Sequence, residues 1–224
     1  MIIPINTTGL PPFRCYFFDW DGCVAHTLPF WLEGYRTALA RRGRQVADEV
    51  IVRELFNDWA GPERFGVPDA ARFVEEVAAH VAGRAGELQM NPYIEEVLRA
   101  LKACGKTTAL LTASRRRLVL PALKTHGLAG LLDLVLTVED VRRHKPDPEV
   151  VHRALERFGV EAAEAVLVGD SDKDIQAARG AGVAVALYLP ERNRAYYDVG
   201  HLLAWKPEFV IADFRELLPA AGGG

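Results

Sequence analysis

Short apolar runs recur along the chain at Arg14 to Phe18, Thr107 to Leu111, Leu134 to Thr137, Ala165 to Val168 and Val183 to Leu187. They carry few polar residues, as parallel strands buried on both faces do. Between them the apolar positions move to helical spacing. Leu98 and Leu101, and then Val150, Ala154 and Phe158, fall three or four residues apart. This spacing predicts helices over Tyr93 to Ala103, Arg116 to His126, Pro148 to Phe158 and Asp172 to Arg179. Alternation of strand and helix predicts an α/β fold, a Rossmann-like parallel sheet core flanked by helices.

One stretch departs from this rhythm. Between Val24 and Met90 helical patterns cover Phe30 to Arg42, Ala47 to Trp59 and Asp69 to Arg84, with no strand pattern among them. Pro29 suits a first helical turn. Gly61-Pro62 and Gly66-Val67-Pro68 mark loops. A helical insert of roughly sixty residues therefore interrupts the α/β unit after its first strand, long enough for a small bundle.

Composition narrows the setting. The 224 residues suit one large domain or a domain plus an insert. A net charge of -3 gives no broad electrostatic case for nucleic acid or an anionic membrane. The three cysteines, Cys15, Cys23 and Cys104, form no closely spaced pair, so neither a disulfide framework nor a zinc site is expected. No apolar stretch approaches the ~20 residues that span a bilayer, and Met1 to Pro12 lacks the pattern of a signal peptide. A reducing cytoplasm fits these features, a monomer or homodimer is expected, and a local basic pocket could still bind a small phosphate.

Parallel sheets gather ligands beyond the carboxyl ends of their strands, and the residues there suit phosphate and a hard cation. Asp19 and Asp21 follow the first run, with Gly22 able to bring the backbone close to a ligand. Two close carboxylates have separated pKa values, which suits a nucleophile and a general acid/base. An Asx-rich turn is the other reading of this pair. Thr112, Ala113 and Ser114 follow the second run. The Thr112 hydroxyl and the amides of Ala113 and Ser114 suit an anion, while a plain helix N-cap is the alternative for Thr112. Lys145, ahead of Pro146, offers an ammonium; taken alone it is a solvated lysine. Asp170-Ser171-Asp172-Lys173-Asp174 opens like a calcium loop, but Ile175 and Ala181 stand where that loop needs Gly and Glu. Magnesium on Asp170, with Asp174 one helical turn on and Ser171 as supports, fits instead.

Together these segments resemble the haloacid dehalogenase superfamily of phosphotransferases. Asp19-Trp20-Asp21-Gly22, Leu110-Leu111-Thr112, Lys145-Pro146 and Gly169-Asp170-Ser171-Asp172-Lys173-Asp174 follow in its order. Asn91-Pro92-Tyr93 and Ala177-Ala178-Arg179-Gly180-Ala181-Gly182 are similar to its phosphoglycolate phosphatase and β-phosphoglucomutase branch. The resemblance implies a core domain of residues 1–24 and 90–224 and a helical cap domain of 25–89. It implies attack on phosphorus by Asp19, acid and base help from Asp21, and a phosphoryl group held by Thr112, Ala113, Gly22 and Lys145. Mg²⁺ would lie on the Asp19 carboxylate, the Asp21 carbonyl and Asp170. The implied substrate is a small phosphate monoester of the phosphoglycolate or sugar phosphate type.

Two relatives' chemistries are disfavoured. Dehalogenases lack the second aspartate, and phosphonatases need a cap lysine, whereas residues 24–90 contain none. A phosphomutase stays open, with Arg36, Arg53, Arg64 and Arg72 as cations for a second phosphate. A catalytically silent phosphate-binding protein on the same fold is the non-enzyme alternative. The motif continues unusually with Cys23, Val24 and His26, and Cys23 fits a small space-filling residue. His26, Trp59 and Arg64 are candidates for substrate specificity, with Trp31 and Tyr35 beside them; hinge contacts for His26 and cap core for the aromatics are the plainer roles. Arg115-Arg116-Arg117, at a helix start where cations oppose the dipole, are expected to be solvated, with help to a phosphate from one of them as the alternative. Pro190 to Trp205 is longer and more aromatic than the fold requires, a crossover helix or a dimer contact.

Overall fold

The computed structural model describes residues 10–56 and 61–218. Its centre is a six-stranded sheet with every pairing parallel, in the order β3-β2-β1-β4-β5-β6. The strands are β1 (Cys15–Phe18), β2 (Thr107–Leu111), β3 (Leu134–Leu136), β4 (Ala165–Gly169), β5 (Ala184–Tyr188) and β6 (Phe209–Ile211). The apolar runs are continuous because side chains alternate between two buried faces. Tyr16 and Phe18 enter one core with Leu98, Leu110 and Val168. Cys15 and Phe17 enter the other with Leu111, Leu167 and Ile175.

Helix α1 (Leu28–Ala40), α2 (Asp48–Leu55), the single turn α3 (Gly61–Arg64) and α4 (Ala70–Gly83) follow β1. They enclose a third apolar cluster of Tyr35, Leu39, Ile51, Leu55, Phe73 and Val77. Pro29 lies in the first turn of α1, where its missing N–H costs nothing. The remaining helices are α5 (Ile94–Ala103), α6 (Arg116–Thr125), α7 (Glu149–Phe158), α8 (Asp172–Gly180) and α9 (Val199–Ala204). Two crossings join the α1–α4 layer to the rest, tied where the His26 N–H donates to Gln89 O and the Asn91 N–H to Val24 O, both at 2.9 Å.

Two details differ from the sequence pattern, and the crossover expected as one alternative for residues 190–205 is present. Strand β6 answers to none of the apolar runs read from the sequence. Gly61-Pro62, expected as a loop, opens α3. The 190–205 segment forms a 3₁₀ helix over Glu191–Tyr196 and then α9, carrying the chain from β5 to β6.

Candidate active site

The strand order turns back between β1 and β4, the crevice where sheets of this kind hold ligands. Asp19 leaves β1 and its N–H donates to Val168 O at 2.9 Å. Asp170 leaves β4 beside it. Lys145 reaches in from the loop before α7, buried, and its Nζ donates to Asp19 Oδ1 at 2.5 Å, Asp174 Oδ1 at 2.6 Å and Leu111 O at 3.0 Å. Asp174 is tied down on its other oxygen. Ser171 caps α8, and its N–H and hydroxyl donate to Asp174 Oδ2 at 3.1 and 2.6 Å. One aspartate thus serves as a helix cap and as the second anchor of the buried ammonium.

Carboxylate oxygens of Asp19, Asp170 and Asp174 lie within 4.8 Å of one another. Only one ammonium sits among these three buried acids. Burial, reinforced by Asp174 and Asp21 against the pull of Lys145, pushes the Asp19 carboxyl up to about 7. Burial first, and then Asp19 and Asp174, drive Asp170 well above its usual range. Burial works to lower the Lys145 pKa, yet Asp174 and Asp19 outweigh it and the ammonium stays charged. Ionised together, these three acids would exceed the one ammonium in charge, and the raised pKa values of Asp19 and Asp170 express that deficit. An oxygen-preferring divalent cation fits that deficit, and no sulfur or imidazole in the set favours a softer metal.

Glycine makes the crowding possible. A Cβ on Gly22 would come within 1.8 Å of Asp170 Oδ2, and one on Gly169 within 2.3 Å of Asp174 Cγ. The loop from Asp19 to Ala25 is held from outside. The Gly22 carbonyl accepts from Asn91 Nδ2 at 3.0 Å and Asn193 Nδ2 at 2.8 Å. Arg192 donates to Asn91 Oδ1 at 2.6 Å, and the Tyr197 hydroxyl donates to Asp170 Oδ2 at 2.5 Å. Asp21 points the other way, toward α1. Its Oδ1 accepts from Trp31 Nε1 at 2.8 Å, and its Oδ2 from the Ser114 hydroxyl.

The sequence profile of the haloacid dehalogenase-like hydrolases matches residues 16–188, most of the chain. The chain belongs to that family. A plasmid-encoded phosphoglycolate phosphatase of Cupriavidus necator is 32% identical over 226 residues, covering 93% of each chain. A phosphoglycolate phosphatase of Thiobacillus denitrificans is 32% identical over 186 residues, 78% of this chain and 82% of the relative. A hydrolase from Pseudomonas syringae of known structure superposes with a TM-score of 0.77 at 22% identity, over 91% of this chain and 95% of that one. With these relatives, this haloacid dehalogenase-like hydrolase is a phosphatase. No helix among the described residues is long and apolar enough to cross a membrane.

Above the acidic cluster of the hydrolase opens a cavity of about 540 Å³ lined by Asp19, Asp21, Thr112, Ala113, Lys145 and Asp170, among others. The Thr112 hydroxyl accepts from the Ser114 N–H at 2.9 Å, so that amide is engaged, contrary to the expectation that it faces an anion. Thr112 keeps its own O–H donor. Gly22 does not line the cavity; the close approach that it permits is to Asp170. Neither His26 nor Arg64 lines it. His26 sits at the crossing beside Gln89, and Arg64 pairs with the Glu54 carboxylate at 2.9 Å and its carbonyl at 2.7 Å. Trp59 lies outside the described residues. Arg115, expected in solvent, bonds Glu75 of α4 and so ties α6 to the helical layer. Cys23 is buried, with its thiol pushed up by burial and near Asp170, and its Sγ donates to Val168 O at 3.4 Å. The contributions of Trp31, the Ser114 hydroxyl, Asn193 and Tyr197 had no spacing to reveal them. Each acts on a residue far away in the chain or across a layer.

Proposed function

We propose that this phosphatase is magnesium-dependent and hydrolyses a small phosphate monoester through an aspartyl-phosphate on Asp19. The buried meeting of Asp19, Lys145, Asp174 and Asp170 carries this reading. Asp19 and Asp170, with the Asp21 carbonyl, would hold Mg²⁺, since both Asp174 oxygens are occupied by Lys145 and Ser171. The cation supplies charge neutralisation between an anionic nucleophile and an anionic substrate.

The protein's own groups do the rest. Lys145 keeps Asp19 in place and offsets charge on the transferring phosphoryl oxygens. Thr112 and the backbone at Ala113 orient that group at the end of β2. Asp19 attacks phosphorus; the P–O bond to the leaving group breaks as Asp21 gives that oxygen a proton. Asp21 then takes a proton from the water that cleaves the acyl phosphate, returning Asp19 and releasing inorganic phosphate. Such acid and base help is worth ~10²–10⁴-fold. Trp31 and Ser114 fix the Asp21 carboxylate for both steps.

The phosphomutase reading loses support from the ion pairing of the helical layer. Arg36 binds Asp48, Arg53 and Arg64 bind Glu54, and Arg72 lies 3.6 Å from Glu76; none of the four lines the cavity. Release of phosphate from phenyl phosphate, phosphoglycolate and sugar phosphates, with Mg²⁺ and with chelator, tests the proposal. Turnover with the metal and none with chelator is expected, and Asp19→Asn is expected to lose at least about 10³-fold. Wild-type-like turnover by Asp19→Asn, or none by the wild type on any ester, contradicts it.

A further inference from the structure

The cavity that receives the leaving group has two chemically different ends. The sheet end holds the acids, Thr112 and Lys145. The opposite wall is built from Trp31, Tyr35, Leu55, Phe56 and Val74 of the helical layer, with Leu118 of α6 closing one side. Among the described residues, no Arg, Lys or His of residues 25–89 lines it. Residues 57–60, Asn-Asp-Trp-Ala, contain no cation either. Among the described residues, the one ionic residue that the helical layer gives to that wall is an acid, Glu75, bound to Arg115. The lysines and arginines lining the cavity, again among the described residues, come from the sheet domain: Arg115, Lys145 and Lys173.

A leaving group with its own carboxylate or second phosphate would lie against this wall where the cation at hand, Arg115, is already paired with Glu75. Burial of an unpaired charge is among the costliest events in a protein interior. Sugar hydroxyls would meet few partners on that wall, since the Trp31 N–H already serves Asp21 and Glu75 is paired with Arg115, leaving the Tyr35 hydroxyl, and an unmade hydrogen bond on burial is penalised. At about 540 Å³ the cavity lies within the range of sites for drug-sized ligands, far larger than a two-carbon acid needs. The wall also bridges to the sheet domain through stacking of Phe56 on Tyr196, ring centroids 5.9 Å apart, which adds apolar surface rather than polar contacts.

We propose that the hydrolase acts on phosphate monoesters whose leaving group is uncharged and apolar, an alkyl or aryl alcohol that fills the space between Trp31, Phe56, Val74 and Leu118. This rests on the phosphatase reading above. The phosphoryl group enters toward Asp19 and the alcohol carbon skeleton lies against the helical layer, so apolar transfer from water drives binding.

Alkyl phosphates test it, because ethyl, butyl and hexyl phosphate have leaving groups of nearly equal basicity and differ in apolar length. With the full chain and Mg²⁺, kcat/KM is expected to rise up to roughly fourfold per added methylene, and hexyl phosphate to exceed phosphoglycolate and glucose 6-phosphate at least about tenfold. Val74→Asp should lower the hexyl-to-ethyl ratio, and Ala71→Arg should raise phosphoglycolate relative to hexyl phosphate. A flat or falling chain-length series, or a preference for phosphoglycolate or the sugar phosphate, overturns the inference while leaving the phosphatase reading standing. Failure to release phosphate from any of these esters removes both.

Discussion

Asp19 and Asp21 are two residues apart, yet their surroundings are opposite. Asp19 faces two other buried acids and an ammonium, while Asp21 faces an indole N–H and a hydroxyl. The identity of these aspartates, of Thr112, Lys145 and Asp170, was legible because each directly follows a strand or precedes a helix in a recognisable order. The partners of Asp21 were not, since Trp31 lies on a helix of the insert and Ser114 at the end of β2, and nothing in the spacing links them. Trp31→Phe keeps the ring and removes the N–H donor to the carboxylate, a charge-assisted bond worth ~1.5–3 kcal/mol. The kcat for phenyl phosphate is expected to fall roughly tenfold or more, with the circular dichroism spectrum unchanged. An unchanged kcat would remove Trp31 from the positioning of Asp21.

Elements carry these residues, and two connecting segments do more than connect. The stretch after β5 looked over-long in the sequence. It brings Asn193 to the Gly22 carbonyl and Tyr197 to Asp170, which gives those polar and aromatic residues a role within the chain. Tyr197→Phe leaves the ring and deletes the hydroxyl that orients Asp170. Loss of such a support typically costs 10–100-fold in metal affinity, so calorimetric titration of Mg²⁺ should show weakening of that order, and equal affinity would contradict the role. The second segment is the loop carrying Lys145. Glu149 at the start of α7 accepts from the Arg142 and Arg143 N–H groups at 3.0 and 2.9 Å and pairs with Arg153. These amide bonds first, and then Arg153, hold its carboxyl down at about 2. A depressed folded-state pKa stabilises above the unfolded value of about 4.5 and loses its effect as pH falls through the folded one. Wild type should therefore melt above Glu149→Gln at pH 6, and the gap should narrow as pH falls from about 5 toward 3. A constant gap would rule out this clamp. Strand β6 escaped the pattern because its short apolar run, Phe209 to Ala212, is closed off by Glu208 and Asp213, whereas the equally short β3 lies in a longer, largely apolar stretch from Leu131 to Val138.

At the scale of the molecule, a parallel sheet supplies the reacting groups and a helical layer covers them. That division was visible as a strandless stretch between two strand-bearing ones. The contacts that join the halves were not, because they pair distant residues: Arg115 with Glu75, Trp31 with Asp21 and Phe56 with Tyr196. The exposed Arg115–Glu75 pair adds little stability by itself, so the apolar wall and the Asp21 contacts dominate the join. Both halves enclose the space in which Asp19 would take the phosphoryl group, and the whole account depends on that transfer. Acid quenching during turnover of phenyl phosphate, borohydride reduction of any acyl phosphate to the alcohol, and peptide mass mapping test it directly. The account predicts homoserine at position 19; label at another residue, or none at any residue during steady turnover, would contradict it.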